Sequence, residues 1–420
     1  MSAAGADEAG TPADWPQRAR RLLARVRALR PMVVPGNRVQ LLFNGEEYFP
    51  ALLAAIDAAR RSVHLETYIL ADDKIGERVL TALGDAASRG VEVRVLVDGY
   101  GGGSHARRLR EQMRVLGVDL RIYRPERWWH MERRLLQRLH RKLVVVDDRI
   151  AFVGGINIID DWTDVPAGRD GRTRPRFDFA VRCEGPIVAA IALAMRRLWS
   201  LVTLLRADRF EHSGADEPVV QQPVYDDGVS ASLLLRDNLR NRHAIERNYL
   251  DAFARARHDI LIANAYFLPG RRVRAALRAA AARGVRVRLL LQGRVEYAVQ
   301  HHAQRAMYGD LLGAGIEIHE YQASYLHAKV AVIDEAWATV GSSNIDPYSL
   351  LLAREANVVV LDARFATRLR TTLELAIEAD SVALRPADYL RRGLFTRLLD
   401  WAAYGVVRAA TVLLARQPNY

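Results

Sequence analysis

Lysine and cysteine are what this 420-residue chain has least of. Of 61 basic residues, all but Lys74, Lys142 and Lys329 are arginine. The single cysteine, Cys183, excludes an intrachain disulfide and a cysteine-rich metal site. Its place in the strand-like run Phe179-Ala-Val-Arg-Cys183 points to core packing in a reducing compartment. A secretory signal is not apparent, because residues 1–14 are small and acidic, without the charged-then-apolar order of a signal peptide. Apolar runs also stop short of the roughly 18 residues a membrane span needs. Ile187 to Leu205 is broken by Arg196-Arg197, and Leu394 to Ala415 by Asp400 and Arg408. Spanning a bilayer is therefore not expected, whereas lying on one fits the pattern.

What the chain has in excess is positive charge. A net +12 and a pI near 10.0 call for an anionic partner: nucleic acid, an anionic bilayer or a phosphorylated substrate. Half the residues are apolar and 26% charged, ordinary globular values in a chain long enough for two full cores.

From Arg38 onward strands and helices alternate. Val39 to Phe43 reads as a strand, Tyr48 to Arg60 as a helix, Ser62 to Leu70 as a strand, Gly76 to Ser88 as a helix and Val91 to Val97 as a strand. The order returns later: His258 to Phe267 resembles Ser62 to Ile69, and Ala282-Arg-Gly-Val to Gln292-Gly resembles Ser88-Arg-Gly-Val to Asp98-Gly. This is an internal duplication of roughly 170 residues rather than a short-period solenoid. The halves are expected at 38–207 and 229–380, joined by a polar, proline-containing linker at 208–228 and flanked by segments at 1–37 and 381–420. Gly101-Gly-Gly103 lacks a G-x-G-x-x-G phosphate loop and reads as a flexible connection.

Each half carries one motif. His140-Arg-Lys142 leads through a valine run to Asp147 and then Gly154-Gly155-Ile156-Asn157, while His327-Ala-Lys329 leads to Asp334 and then Gly341-Ser342-Ser343-Asn344. Both obey H-x-K-x4-D-x6-G-[GS]-x-N without insertion or deletion. Residues i and i+2 of a strand share a face, so each histidine and its lysine point the same way. Asp147 and Asp334 lie at an odd offset, and Asp147 heads Asp147-Asp148-Arg149; these aspartates read as turn or ion-pair residues. One motif per half suggests a site at the seam, related by a pseudo-twofold axis.

Two of the three lysines occupy the same motif position. A compact ammonium beside a phosphate oxygen accounts for that exception in an arginine-rich chain. The residue set fits nucleophilic catalysis at phosphorus: one imidazole attacks and becomes a phospho-histidine, and the other moves the proton of the leaving and entering oxygens. Lys142, Lys329, Asn157 and Asn344 would hold the non-bridging oxygens. Each imidazole needs an orienting partner, and Asp178 and Glu355, at corresponding places in the two repeats, are the candidate carboxylates.

The doubled motif resembles the phospholipase D superfamily. The match runs from about Arg38 to Asp362, and more narrowly resembles bacterial cardiolipin synthases of the B type. It is carried by Leu41-Leu-Phe-Asn-Gly-Glu-Glu-Tyr-Phe-Pro50, His64-Leu-Glu-Thr-Tyr68, Val97-Asp-Gly-Tyr100, Ala151 to Asn157, Ala180 to Pro186, Ala263 to Phe267, Trp337 to Pro347 and Glu355-Ala-Asn-Val358. The resemblance implies an α/β fold of two tandem phospholipase D-like α/β/α repeats, with mixed, mostly parallel sheets flanked by helices, packed about a pseudo-twofold axis. It implies metal-independent phosphatidyl transfer that makes cardiolipin from phosphatidylglycerol, with no cofactor and no metal. The implied catalytic set is His140, Lys142, Asp147, His327, Lys329 and Asp334, with His140 as nucleophile, supported by Asn157, Asn344, Gly155, Ser342, Asp178 and Glu355. Where related synthases usually carry Asn two residues before the glutamate, this chain has Ala353.

The expected partners are an anionic phospholipid and a membrane surface, engaged peripherally on the cytoplasmic face of a bacterial cell membrane; oligomeric state is left open. The alternative is a phosphodiesterase or nuclease of the same fold acting on nucleic acid, which the charge would also suit. Three segments carry two readings each. Residues 17–30 read as a basic amphipathic helix, either a solvated cap or a surface anchor. Trp128-Trp129 is either a packed pair or an interfacial anchor. Tyr389 to Ala415 either packs on the second half or lies in a bilayer interface.

Overall fold

The computed structural model describes residues 32–101, 105–124, 137–163, 165–168, 171–206, 220–237 and 241–415. The 17–30 segment, Trp128-Trp129 and most of the expected linker lie outside the described residues. The first half runs β1 (Val34–Phe43), α1 (Asn44–Asp57), β2 (Ser62–Thr67), α2 (Lys74–Ser88), β3 (Glu92–Asp98), α3 (Ala106–Val115), β4 (Asp119–Tyr123), β5 (Lys142–Val146), β6 (Ile150–Gly154), β7 (Phe179–Glu184) and α4 (Ile187–Arg206). The second runs β8 (Val229–Arg236), α5 (Ala244–Arg255), β9 (Asp259–Asn264), α6 (Arg271–Ala282), β10 (Arg286–Gln292), α7 (Ala298–Arg305), α8 (Tyr308–Gly313) and β11 (Glu317–Tyr321). It continues through β12 (Lys329–Ile333), β13 (Trp337–Gly341), α9 (Pro347–Leu351), β14 (Glu355–Leu361) and α10 (Ala363–Asp380). After these come β15 (Ser381–Ala383), α11 (Pro386–Leu390) and α12 (Leu394–Ala415).

The strands form one sheet in the order β15-β11-β10-β9-β12-β13-β14-β8-β1-β7-β6-β5-β2-β3-β4. Read outward from the β8–β1 junction, each half repeats the same succession, so the duplication in sequence is a duplication in topology. The expected predominance of parallel pairing is corrected by the register. Pairing is parallel only for β2–β3, β3–β4, β9–β10 and β10–β11, where helices supply the crossover. The remaining neighbours, β5–β6 and β12–β13 among them, are antiparallel. The β5–β6 connection at Asp147-Asp148 is too short for a crossover. Both residues take positive φ (53° and 55°), the geometry of a tight hairpin turn.

Strands β5 and β12 are buried along their whole length, which explains their unbroken apolar runs. Leu143 and Val145 face a core that also takes in Val330, Val332 and Val358 of the second half, α4 and α10. Val144 and Val146 face the core beneath α1, α2 and α3. The second half has its own outer core beneath α5, α6 and α8. Cys183 packs in the shared core, where burial pushes its thiol up to about 12. Among the described residues no helix is long and apolar enough to cross a membrane. Helix α4 is instead a core helix, and its Arg196 is buried against Asp148 at 2.8 Å.

Candidate active site

The segment before each motif strand is laced to the other half. His140 donates its backbone N–H to Arg354 O (3.0 Å), and Arg354 returns one to Arg138 O (2.8 Å). Likewise His327 N–H reaches Phe177 O (2.9 Å), and Phe177 N–H reaches Tyr325 O (2.9 Å). Arg354 immediately precedes β14 and Phe177 lies two residues before β7, so the lacing sets Glu355 beside His140 and Asp178 beside His327. His140 Nδ1 lies 3.0 and 3.1 Å from the two Glu355 oxygens. His327 Nδ1 lies 2.6 Å from Asp178 Oδ2. Each imidazole is oriented by a carboxylate from the opposite half, and each keeps Nε2 for other work.

Lys142 and Lys329 are buried, whereas Lys74 is exposed at the start of α2. Each buried ammonium donates to the backbone carbonyl of its own motif histidine, Lys142 to His140 (2.7 Å) and Lys329 to His327. Burial, then the charge of Lys329, lowers Lys142 to about 7. Burial lowers Lys329 to about 8, opposed by Asp178 and Glu355. Burial also holds both histidines below their usual range. His327 falls to about 3, with Lys329 pushing it down and Asp178 resisting. His140 is lowered against the pull of Glu355. Each histidine also senses the lysine of the other half, so the four groups share one electrostatic site of neutral imidazoles and weakened ammoniums.

The supporting residues differ between halves. Ser342 Oγ donates to Glu355 Oε2 (2.6 Å). Gly155, its counterpart, has no room for a side chain: a Cβ there would lie 2.3 Å from Asp178 Oδ1. Asn157 accepts from Ile69 N–H (3.3 Å), leaving its amide nitrogen as a donor. Asn344 is buried, and its Oδ1 has no hydrogen-bond partner among the described residues.

Asp147 and Asp334 are not brought to the histidines. They sit at the other ends of β5 and β12 with positive φ. Asp147 accepts the backbone N–H groups of Arg60, Arg61 and Ser62, and Asp334 those of Arg257, His258 and Asp259. Their inclusion with the reacting groups is corrected: each ties the end of its motif strand to the start of the neighbouring strand.

A family model described as cardiolipin synthase, PLD-like domain, matches residues 52–164 and 249–376, once on each half. Cardiolipin synthase B of Escherichia coli K12 is 41% identical over 357 residues, spanning 82% of this chain and 81% of that one. The chain belongs to the PLD-like cardiolipin synthase family. Cardiolipin synthase A of Pseudomonas aeruginosa LESB58 is 32% identical, over 87% of this chain and 72% of its own. The crystal structure of phosphatidylserine synthase from Haemophilus influenzae Rd KW20 shares the fold, with a TM-score of 0.66 at 12% identity, over 95% of this chain and 99% of that one.

Within this family site, sequence reasoning missed Asp98. Its buried carboxylate accepts Leu139 N–H (2.8 Å) and Tyr100 N–H (2.9 Å), and burial pushes it up to about 6. Gln292 does the same for Leu326 N–H (3.2 Å) in the second half. The signal was available, since Asp98-Gly and Gln292-Gly stand at matching places in the repeat. Tyr68, edge-on to His140 at 5.1 Å, and Asp346, which caps α9 through Ser349 N–H and is raised by burial to about 7, stand inside His64 to Tyr68 and Trp337 to Pro347, stretches that carry the family resemblance. The departure at Ala353 is met by a buried backbone contact, in which Arg236 donates to Ala353 O.

Proposed function

We propose that the chain makes cardiolipin by phosphatidyl transfer through a covalent phospho-histidine, acting on phosphatidylglycerol at an anionic membrane surface. Nε2 of neutral His140 attacks the phosphodiester phosphorus and forms a P–N bond, while the P–O bond to glycerol breaks. Imidazolium His327 gives its proton to the departing oxygen. A hydroxyl of a second phosphatidylglycerol then attacks phosphorus and loses its proton to His327. The P–N bond breaks, and cardiolipin leaves with His140 restored. The electrostatics support this order of events. Burial does most to hold His327 down and the charge of Lys329 adds to it; a bound anionic phosphodiester offsets the ammonium part, and Asp178 favours the charged form. Lys142 and Lys329 take the non-bridging oxygens, with the amide nitrogens of Asn157 and Asn344 beside them.

The observation that carries the proposal is the exchange of carboxylates across the seam, which leaves two Nε2 atoms and two ammoniums in one site. His140 as the attacker rests on the family resemblance. The lipid reading is preferred to nucleic acid because the curated relatives above are lipid synthases, and the protein is assigned to the cytoplasmic face of the cell membrane as a peripheral enzyme. Purified protein with phosphatidylglycerol vesicles should yield cardiolipin and glycerol by mass spectrometry, and His140→Ala should yield neither. Absence of product together with identical behaviour of the variant would reject the proposal.

A further inference from the structure

We propose that α12 is a docking helix that lies in the interface of an anionic bilayer and holds the site against it; this deepens the lipid-substrate reading. The helix is amphipathic in the inverse sense to a soluble surface helix. Its one acidic residue, Asp400, faces inward and is 1% exposed. The Asp400 carboxylate takes His302 of α7 (2.8 Å) on one oxygen and Arg392 (2.8 Å) on the other. Ala403, Tyr404 and Val407 pack beside it on Leu268, Ala303 and Met307. The polar anchor is on the protein side, and the solvent side is apolar.

Leu394, Phe395, Leu398, Leu399, Trp401 and Val406 are all exposed, Phe395 to 81% and Trp401 to 56%. At 3.6 residues per turn they share an arc of roughly 160°, a continuous patch of the kind that marks an interaction surface. Arg397 and Arg408, both exposed, fall along one edge of that arc. An apolar stripe with arginines at its margin fits an interfacial helix, whose cations reach lipid phosphates while the rings enter the acyl boundary. A second copy packed antiparallel fits less well, because the twofold axis would set the two arginine edges side by side. The net charge of +12 favours an anionic lipid surface over a neutral one. The helix also touches α9, which lies between Asn344 and Glu355 in the chain, so the helix adjoins the site.

The test uses the full chain and the variant F395E/L398E/W401E, whose three positions are exposed and outside the reacting groups. Binding is measured by co-sedimentation with vesicles of phosphatidylglycerol and phosphatidylcholine, and with phosphatidylcholine alone. Turnover is measured on those vesicles and on short-chain phosphatidylglycerol kept monomeric. The variant should bind the anionic vesicles at least about tenfold more weakly and lose vesicle turnover to match, with monomer turnover unchanged. Weakened vesicle binding with no turnover of either substrate by the parent chain would still support docking while rejecting the lipid-transfer reading. Unchanged vesicle binding overturns the proposal. So does a parent-chain dimer in sedimentation velocity that the variant dissociates without changing vesicle binding.

Discussion

The two halves reach the same site geometry with different side chains. Beside His140 the motif carries Arg141, buried and forked onto Glu66 at 2.5 and 2.9 Å. The second half fills the corresponding places with Ala328 and Ala263, both fully buried. Glu355 is long and braced by Ser342, whereas Asp178 is short and closes directly on Gly155. A carboxylate at Asp98 anchors the strand entry in one half and an amide at Gln292 in the other. The duplication preserved the paired histidines and lysines and the backbone lacing, and let the packing around them diverge. Backbone hydrogen bonds set where the groups sit, and several fillings satisfy them.

The sharpest way to break this equivalence is to remove each histidine in turn. His140→Ala and His327→Ala should both lower turnover by at least about 10⁴-fold, since residues that act as a unit fail together. They should differ in what accumulates. With a phosphatidyl ester of an acidic alcohol, whose departure needs no proton, His327→Ala should build a phosphatidyl adduct on His140 visible by intact mass, and His140→Ala should build none. An adduct in the second variant alone would reverse the assignment.

Exchanging orientation for charge loss comes next. Glu355→Gln and Asp178→Asn should each lower kcat by roughly 10²–10⁴-fold while KM moves little. Ser342→Ala, which acts only on the Glu355 side, should lower kcat by less than about tenfold. If Asp178→Asn impaired adduct formation on His140 and left its resolution untouched, the crossed pairing would be wrong.

The buried ion pair separates stability from chemistry. Glu66→Ala should destabilise the fold by about 3–5 kcal/mol, because it strands a buried guanidinium, and Glu66→Ala with Arg141→Ala should recover part of the loss. Denaturant midpoints at constant slope would measure both. Equal losses for the single and double variants would mean that the guanidinium is not stranded.

The mildest test is pH. Lys142 and Lys329 lie near 7 and 8 in the folded chain, below the usual lysine value near 10.4. As pH rises through that window, phosphate binding weakens, so kcat/KM should fall with a midpoint that belongs to the coupled pair. The stability sign is opposite. Between the depressed folded values and the unfolded one, the unfolded chain binds more protons, so stability should rise with pH as the buried ammoniums discharge. A kcat/KM profile flat from pH 6 to 9 would contradict the proposed role of the lysines.

Much of this was legible in the residues. The repeat could be read because both halves bury their motif strands on two faces, and burial demands the same β-branched runs twice. The lysines could be read because an arginine-rich chain made exceptions at one motif position. The turn role of Asp147 and Asp334 followed from strand parity, before any family pattern grouped them with the histidines. The predominantly parallel pairing that the resemblance implies is not what the register shows. The other neighbours are antiparallel, through the β5–β6 and β12–β13 hairpins and through strands that meet from distant parts of the chain, and a parallel return needs a crossover long enough to carry a helix.

That two matched sets of a histidine and a lysine exist is legible in local spacing, since a strand's period of two places histidine and lysine together wherever the strand lies. Which carboxylate serves which histidine is not a local property. Glu355 is 215 positions from His140 and Asp178 is 149 from His327. The backbone bridges between halves, Leu139 with Arg354 and Phe177 with Leu326, bring these pairs together. The same holds for Asp400. In sequence it interrupts an apolar run, and only the folded chain turns it inward and leaves the apolar face of its helix outside.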